Sequence, residues 1–344
     1  MANKKISLLG LTLAQLAEVC TTEGLPKFTA KQIANWLYVR RVESIDEMTN
    51  ISLANRQKLN ERYCAATQQP IKRSVSSDGT EKFLFETHEG AFIEAVYIPD
   101  AERATLCVSS QAGCRMGCQF CATGQQGLQH SLSASQIINQ IMAIPESQKL
   151  TNLVFMGMGE PLDNYDNVKQ AIEVITSAWG LAWSPRRITL STAGVTPVLR
   201  RLIEECEVDI AISLHNPYHD ERAEIMPIER AYPIAELVEM LREYDFSGQR
   251  RLSFEYILMS GKNGSPHHIR EIARLLNGLN CRINIIRFHK IPGSPFYSPD
   301  DEKVTRFRNN LTAKGIHTTI RRSRGEDIEA ACGLLSTKSQ IEQQ

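Results

Sequence analysis

The spacing of apolar residues along the chain changes twice and divides it into three stretches. Up to about residue 70, apolar positions recur at the spacing of helices, beginning with an amphipathic segment that Thr12 is expected to cap. From about 71 to 111 the period is two, which predicts strands at 82–86 and 92–98. After that, short apolar runs alternate with amphipathic stretches, which indicates a fold of the α/β class.

The N-terminal stretch is predicted to be a compact helical module. Thr29 and Ser44 each stand three residues before a Gln or Glu, which is the spacing of a capping box. Each is therefore expected to begin a helix. In the helix that begins at Thr29, Phe28 and Trp36 would face inward.

Seven apolar runs are predicted to be the strands of a parallel sheet, because amphipathic stretches separate them. The strands are predicted at 105–109, 153–158, 187–191, 210–215, 253–258, 282–288 and 318–321. Helices between them are predicted at 133–143, 168–178, 234–244 and 269–276. About six such units would form a partial parallel barrel of the (β/α)6 type, with its active site at the carboxyl ends of the strands.

The chain has 39 Lys and Arg against 39 Asp and Glu, but these charges are unevenly distributed. Residues 1–73 contain eleven Lys and Arg and six Asp and Glu, a net charge of +5 that leaves −5 for the remainder. This excess fits a polyanionic partner such as RNA, although solvated helix faces would give the same count. We expect a basic, RNA-binding helical domain at 1–70, a strand-rich connector at 71–102, a barrel with a C-terminal loop at 103–336, and a tail at 337–344.

The amino terminus imitates a signal peptide, since two lysines precede an apolar stretch. Thr12, Gln15 and Glu18 interrupt that stretch, and no segment reaches the roughly 18 unbroken apolar residues of a membrane span. Nine cysteines are too few, and odd in number, for a disulfide framework. The expected compartment is the cytoplasm, without membrane association.

Three cysteines, Cys114, Cys118 and Cys121, lie within eight residues. Thiolates at such tight spacing hold iron–sulfur clusters, and three of them would leave the fourth iron of a cubane cluster free to bind a small molecule. A structural zinc site, which prefers four protein ligands and could be completed by Cys107, is an alternative, as are ordinary buried thiols. With the aromatic Phe120 before the last cysteine, the loop resembles that of radical S-adenosylmethionine enzymes.

Chemically useful side chains follow several of the predicted strands. Glu160 follows the second strand in the sequence GMGE, where glycines let a ligand approach the backbone and the carboxylate suits a ligand ammonium group. Ser191 ends the third strand and His215 the fourth, with a satisfied core histidine as the alternative for the latter. Cys332 lies in a loop after the last strand and is either a functional thiol or packing. Glu94 lies within an apolar strand, and a place on the solvent face is its alternative.

Several segments together resemble one family, the radical S-adenosylmethionine adenine methyltransferases of RNA that comprise RlmN and Cfr. The segments are FTAKQIANWL at 28–37, RATLCVSSQAGC at 103–114, CATG at 121–124, GMGEPL at 157–162 and GEDIEAACG at 325–333. The resemblance implies a radical S-adenosylmethionine barrel with a small N-terminal helical domain. Pro161 favours the branch that methylates C2 of adenosine, and methylation at C8 by the sister branch is the alternative. From a different class, a zinc-stabilised RNA-binding module without chemistry stays open.

The resemblance also implies a mechanism. Cys332 would accept a methyl group from one molecule of S-adenosylmethionine, since a thiolate is a competent nucleophile. The three clustered cysteines would hold one 4Fe-4S cluster for reductive cleavage of a second molecule. The methyl group then loses a hydrogen and its carbon adds to C2 of the adenine. Cys107 would resolve the protein–RNA adduct by forming a disulfide with Cys332, and Glu94 would remove the C2 proton as general base.

Contacts to S-adenosylmethionine are implied at Gly159, Glu160, Ser191, Ser213, Leu214, His215 and His289. At position 289 the family usually has Asn followed by Pro, whereas this chain has His289 and Lys290, and imidazole cannot reproduce both the donor and the acceptor of an amide. The implied partners are 23S rRNA at the peptidyl-transferase centre, the anticodon loop of tRNA and a flavodoxin-type electron donor, and the enzyme is expected to be a monomer. Arg321, Arg322 and Arg324 are candidate ligands of RNA phosphates, with solvated arginines as the alternative.

Overall fold

The computed structural model describes residues 5–248 and 250–337, so residues 338–344 of the predicted tail lie outside it. The strands are β1 (Ile6–Ser7), β2 (Tyr63–Cys64), β3 (Lys72–Val75), β4 (Glu81–Glu86), β5 (Phe92–Pro99), β6 (Ala104–Cys107), β7 (Gln111–Ala112), β8 (His130–Ser131), β9 (Asn152–Phe155), β10 (Ile188–Thr192), β11 (Asp209–Ser213), β12 (Leu252–Leu258), β13 (Arg282–Arg287) and β14 (His317–Ile320). The α-helices are α1 (Leu13–Thr22), α2 (Thr29–Ala34), α3 (Leu53–Arg62), α4 (Ala122–Gln126), α5 (Ala134–Met142), α6 (Tyr165–Thr176), α7 (Thr196–Glu205), α8 (His219–Ile225), α9 (Ile234–Leu241), α10 (Pro266–Leu275) and α11 (Asp301–Ala313).

Ten strands form one sheet in the order β14-β13-β12-β11-β10-β9-β6-β5-β4-β3. Neighbouring strands from β14 to β6 are parallel, and β5, β4 and β3 continue the sheet with antiparallel pairing. Helices separate the parallel strands along the chain, because each helix returns the chain to the same end of the sheet. Within the described residues the sheet does not close. The prediction of an α/β fold with a partial parallel barrel is thus confirmed.

The capping predictions for the N-terminal helices have mixed outcomes. Thr12 caps α1, and its hydroxyl accepts a hydrogen bond from the third residue of the helix at 3.2 Å. Thr29 does not cap α2, because the backbone is already helical at Phe28 and a cap needs an extended conformation. A helix does begin at Thr29, as predicted, but the predicted capping box is absent, and Phe28, predicted to face inward, is 64% exposed. Ser44 does form a capping box, but it begins only the 3-10 turn Ile45–Glu47.

The strands of the predicted connector belong to the main sheet. β5 pairs with β6 in a register that places Val96 opposite Cys107. Side chains alternate between the two faces of a strand, so Glu94 lies on the same face of the sheet as Cys107. Glu94 is only 1% exposed, and the solvent-face alternative for it is therefore wrong.

The apolar residues form one large core and a smaller cluster. The large core joins Leu16 and Ile33 of the N-terminal helices to Leu153 and Ile210 of the parallel strands. The smaller cluster surrounds Phe120 and Phe288, together with one of the clustered cysteines, where several parallel strands end. Among the described residues, none of the helices is long and apolar enough to cross a membrane.

Candidate active site

One cavity brings together most of the site residues that the sequence predicts. We call it the cysteine cavity. Its lining includes Cys114, Cys118, Cys121, Gly159, Glu160, Ser191, Ser213, His215 and Cys332. They come from the loop that carries the three cysteines, from the carboxyl ends of β9, β10 and β11, and from the segment after β14. The carboxyl ends of parallel strands all lie at the same edge of the sheet, which explains how positions so far apart in sequence converge.

Backbone hydrogen bonds fold the loop of the three cysteines back on itself. Gly113 has a φ of +77°, and a Cβ there would lie 1.7 Å from the carbonyl oxygen of Gly127, so only glycine fits. The amide of Cys114 donates to that same carbonyl at 3.1 Å. At the other end of the loop, the amide of Cys121 donates to the carbonyl of Cys118 at 3.2 Å, directly before α4 begins.

The chemistry of the three thiols fits an iron–sulfur cluster. Burial raises the pKa of Cys114 to about 12 and raises those of Cys118 and Cys121, so a bound cation would be required to hold them as thiolates. Within residues 5–248 and 250–337, no three His, Cys, Asp or Glu side chains converge on a position for a single metal ion. A cubane cluster binds each thiolate through a different iron, which fits three cysteines that line one cavity. Cys107, the fourth ligand in the zinc alternative, is not part of the lining.

Glu160 is buried after β9, and both of its carboxylate oxygens accept hydrogen bonds. Oε1 accepts from the amide of Leu162 at 3.0 Å, and Oε2 accepts from the amide of Ala193 at 2.7 Å. Burial nevertheless raises the pKa of Glu160 to about 7. Gly159 before it has a φ of +99°, and a Cβ there would lie 2.6 Å from the Cβ of Gln111. A ligand ammonium group would favour the charged carboxylate, as predicted for the amino-acid end of S-adenosylmethionine.

His215 lines the cavity in a conformation that fixes its tautomer. Its φ is +52°, its Nδ1 accepts from the amide of Ile257 at 3.0 Å, and its carbonyl accepts from the side-chain amide of Asn263 at 2.6 Å. Burial lowers the pKa of His215 to about 3, so the imidazole is neutral and carries its proton on Nε2. The ring stands edge-on to Phe120, with the centroids 4.7 Å apart. His215 is therefore held like a core histidine and also lines the cavity as a neutral hydrogen-bond donor.

Two predicted contacts to S-adenosylmethionine lie outside the lining of the cysteine cavity. Leu214 is fully buried in the large core, between two residues that do line the cavity. The Nε2 of His289 is 3.1 Å from the hydroxyl of Ser323, and its Nδ1 is 3.9 Å from a carboxylate oxygen of Glu326. Burial lowers the pKa of His289. Contact of these two residues with S-adenosylmethionine stays a prediction.

The C-terminal segment that carries Cys332 is held against the cysteine loop. The hydroxyl of Thr123 donates to the carbonyl of Leu335 at 2.6 Å, and the side-chain amide of Gln126 donates to the hydroxyl of Thr337 at 2.7 Å. Cys332 packs against the smaller apolar cluster and is partly exposed to the cavity. The predicted methyl acceptor therefore lies beside the predicted cluster ligands.

Cys107 and Glu94 lie next to this segment rather than in the lining of the cavity. Burial and, to a smaller extent, the nearby Cys332 raise the pKa of Cys107 to about 12, while the Arg321 guanidinium opposes the rise. Both cysteines are free thiols. An oxygen of Glu94 accepts from the amide of Ser336 at 3.2 Å, and burial raises the pKa of Glu94. The fold thus brings the predicted base and both predicted thiols to one region.

One ion pair of the site, between a buried carboxylate and a partly exposed guanidinium, was not predicted from the sequence. Glu255 lines the cavity, where its carboxylate accepts from the side-chain amide of Asn284 at 2.8 Å and lies 3.4 Å from Nη1 of Arg321. Arg321, considered above as a phosphate ligand, thus turns at least this nitrogen inward. Glu255 is a carboxylate within the mostly apolar strand β12. The same pattern pointed to Glu94, so Glu255 could also have been predicted from the sequence.

A second pair, Arg222 with Glu229, lies beneath the carboxyl ends of β10 and β11. No pattern in the sequence predicts this pair. Both side chains are fully buried and form a direct ion pair. The guanidinium of Arg222 also donates to the carbonyls of Ala193, Ser213 and Leu214 at 3.0, 2.7 and 3.0 Å. It therefore fastens together the ends of β10 and β11, where Glu160 finds its amide donor.

Comparison with known proteins extends over nearly the whole chain. The Radical SAM superfamily model matches residues 108–276, and the model of the ribosomal RNA large subunit methyltransferase N-terminal domain matches residues 6–65. The probable dual-specificity RNA methyltransferase RlmN of Bacteroides thetaiotaomicron is 55% identical over 98% of this chain and 98% of its own length. The dual-specificity RNA methyltransferase RlmN of Syntrophus aciditrophicus is 43% identical over 98% and 99%. The crystal structure of a radical SAM methyltransferase from Sphaerobacter thermophilus has a TM-score of 0.91 and 40% identity, covering 97% of this chain and 100% of that one.

Proposed function

The chain belongs to the RlmN family of radical SAM RNA methyltransferases, and we propose that it methylates C2 of adenosine through a methyl group carried on Cys332. It is a dual-specificity RNA methyltransferase, and methylation at C8 is not favoured because the curated relatives are RlmN enzymes. The placement of Cys332 on the same cavity as the three clustered cysteines and Glu160 is the observation that supports the route.

The enzyme uses a 4Fe-4S cluster and S-adenosylmethionine, as membership of the radical SAM superfamily implies. We infer that Cys114, Cys118 and Cys121 are the three protein ligands, and that each turnover consumes two molecules of S-adenosylmethionine. When bound, the cluster with its S-adenosylmethionine supplies the one-electron chemistry that activates the methyl carbon. In this assignment the carboxylate of Glu160 accepts from the ammonium group of the ligand, and Nε2 of His215 donates a hydrogen bond to an acceptor atom of the ligand.

Two cysteines carry the methyl group and then release it. The thiolate of Cys332 forms a bond to the methyl carbon of S-adenosylmethionine while the carbon–sulfonium bond breaks. For that carbon to bond to C2 it must first lose a hydrogen atom, which the one-electron chemistry of the bound cluster and S-adenosylmethionine would remove; the addition leaves one unpaired electron on the adduct, which the cluster would take up. Enzyme and RNA are then joined through Cys332. The thiolate of Cys107 then attacks this sulfur, so a disulfide forms while the carbon–sulfur bond breaks with its electron pair on carbon. The carbon gains a proton and becomes the methyl group of the product.

Glu94 is the proposed base that removes the proton from C2 of the adduct. Its oxygen is held by the amide of Ser336, four residues after Cys332, which supports a position beside the adduct. Burial raises the pKa of Glu94, and a carboxylate with a raised pKa accepts a proton more strongly. The electron pair of the broken carbon–hydrogen bond returns to the adenine ring.

RNA is the macromolecular substrate, and ribosomal RNA in particular fits the N-terminal family domain. We infer that both 23S rRNA and tRNA are substrates, that a flavodoxin-type protein is the electron donor, and that the enzyme acts as a monomer in the cytoplasm. The excess of +5 in residues 1–73 supports a role for the N-terminal helices in binding the phosphate backbone. Single-stranded loops are the accessible targets, because the base must leave its stack to enter the cavity.

The proposal is tested by anaerobic incubation with rRNA and methyl-labelled S-adenosylmethionine, followed by mass spectrometry of the nucleosides. We expect labelled 2-methyladenosine from the natural chain and from Cys281→Ala, whose thiol lies at the opposite end of the sheet before β13. No product is expected from Cys332→Ala. The purified protein should be brown and contain iron and sulfide. Methylation by Cys332→Ala, or a colourless protein rich in zinc, would contradict the proposal.

A further inference from the structure

Lys82 forms a close ion pair with the proposed base. Its Nζ, projecting from β4, is 3.0 Å from Oε1 of Glu94 on β5, while Oε2 of the same carboxylate accepts the hydrogen bond from Ser336. The side chains of Lys82 and Glu94 are 13% and 2% exposed. The two oxygens of the carboxylate thus have different partners, one from the sheet and one from the C-terminal segment.

The pair lies at a second cavity, which we call the lysine cavity. It is lined by Lys72, Ser74, Lys82, Leu84, Glu94, Asp327, Ile328 and Glu329. The other charged residues that line this cavity are Lys72 and Lys82 from the sheet and Asp327 and Glu329 from the C-terminal segment. Lys82 also donates to the carbonyl of Glu329 at 3.3 Å. It connects the base to the segment that carries Cys332.

A base in this position faces two opposing requirements. It must be ionised before it can accept the proton from C2, yet burial favours the neutral carboxylic acid. Glu329 adds negative charge nearby, which also favours the neutral form. The ammonium group of Lys82 and the amide of Ser336 act in the other direction, and Lys82 is the stronger of the two because it carries a full charge.

We propose that Lys82 is a positioning residue of the reaction: its ammonium group keeps the buried Glu94 carboxylate ionised and turned toward the segment that carries Cys332. This inference rests on the proposed function, because it assumes that Glu94 is the base. It predicts that Lys82 is needed for the resolution of the protein–RNA adduct and not for its formation.

The experiment follows the adduct on denaturing gels during a single turnover between pH 6 and pH 9. With Lys82→Met we expect the adduct to form at the rate of the natural enzyme and to decay severalfold more slowly at pH 7, because a smaller fraction of the Glu94 carboxylate is ionised without its cation. The rise of the decay rate with pH should move to higher pH, because the carboxylate without its cation ionises later. Lys82→Gln, which keeps a donor but no charge, should behave like Lys82→Met, and Lys82→Arg should restore the natural profile.

Two controls separate this role from a general loss of structure. Lys169→Met removes an exposed ion pair of 2.8 Å with Glu205 and should leave adduct formation and decay unchanged. In a Glu94→Gln background, Lys82→Met should add no further delay, because the group on which it acts is gone. Natural decay kinetics and pH profile in Lys82→Met, or an equal further delay in the double variant, would overturn the inference. Absence of adduct even from Cys107→Ala would instead overturn the proposed function, and this inference with it.

Discussion

The amide of Ala122 donates a hydrogen bond to the carbonyl of Gly333 at 2.8 Å. This bond joins the first residue of α4, directly after Cys121, to the residue directly after Cys332. Two loops that are more than two hundred residues apart in sequence are thereby held with their functional thiols side by side. The distance between the proposed methyl acceptor and the proposed cluster therefore depends on the backbone of Gly333.

The first prediction concerns Gly333→Ala. Gly333 has a φ of +84°, where an L-residue costs about 1–2 kcal/mol, and a Cβ there would lie 3.2 Å from the carbonyl oxygen of Phe120. We expect the C-terminal segment that carries Cys332 to shift away from the cysteine loop. Cys332 should then accept the methyl group of S-adenosylmethionine less often. The measurement is the fraction of purified chains with a methylated Cys332, by mass spectrometry of the peptide.

The matched control is Gly293→Ala. Its φ is +75°, but no atom lies within 4 Å of the Cβ position, so it introduces the same backbone strain without a close contact to the cysteine loop. An equal drop in Cys332 methylation in both variants would show that the effect is a general loss of stability. The natural level in Gly333→Ala would contradict the importance of the contact.

The second prediction concerns Cys107→Ala. Without the thiol that resolves the adduct, RNA should stay covalently joined to the enzyme and accumulate, because the earlier steps do not use Cys107. A denaturing gel with labelled RNA would show a band at the combined mass of RNA and protein, which Cys281→Ala should not accumulate. A Cys107→Ala enzyme that releases methylated RNA at the natural rate would remove Cys107 from the mechanism.

The third prediction concerns the pH dependence of S-adenosylmethionine binding. Burial raises the pKa of Glu160 to about 7, so the free carboxylate is mostly protonated at pH 6 and mostly charged at pH 7.5. Only the charged form pairs with an ammonium group, and the α-amino group of the ligand stays protonated up to a pH of about 7.7. The affinity should therefore rise by about five- to tenfold between pH 6 and pH 7.5.

Glu160→Gln should bind S-adenosylmethionine more weakly at pH 7.5 and lose this pH dependence, as measured by anaerobic calorimetry on protein with a reconstituted cluster. Asp166→Asn is the control, since that carboxylate lies on the exposed first turn of α6, and its profile should match the natural one. The same dependence on pH in Glu160→Gln would assign it to another group.

The sequence predicts more of the framework than of the interactions beneath the site. The strands could be predicted because each carries a short run that is mostly apolar, as β9 does, or that alternates apolar and polar residues, as β10 does, and the three cysteines could be found because their spacing is local. The register between β5 and β6, which places Glu94 on the same face of the sheet as Cys107, depends on strand pairing and cannot be read from either strand alone. Pairs such as Arg222 with Glu229 become visible only when the fold has buried both partners.

The last prediction concerns this buried pair of Arg222 and Glu229. Removing one partner leaves an uncompensated charge in the core, for which the typical cost is about 3–5 kcal/mol. Glu229→Gln should therefore lower the free energy of unfolding by about that amount, measured by denaturant titration. Glu243→Gln, which removes the surface pair of Glu243 with Arg200, should have a far smaller effect. Because Arg222 donates to the carbonyls of Ala193 and Ser213, Glu229→Gln should also weaken binding of S-adenosylmethionine under conditions where the protein is still folded. A variant that loses stability but binds the ligand with natural affinity would show that the pair supports the core and does not shape the cavity.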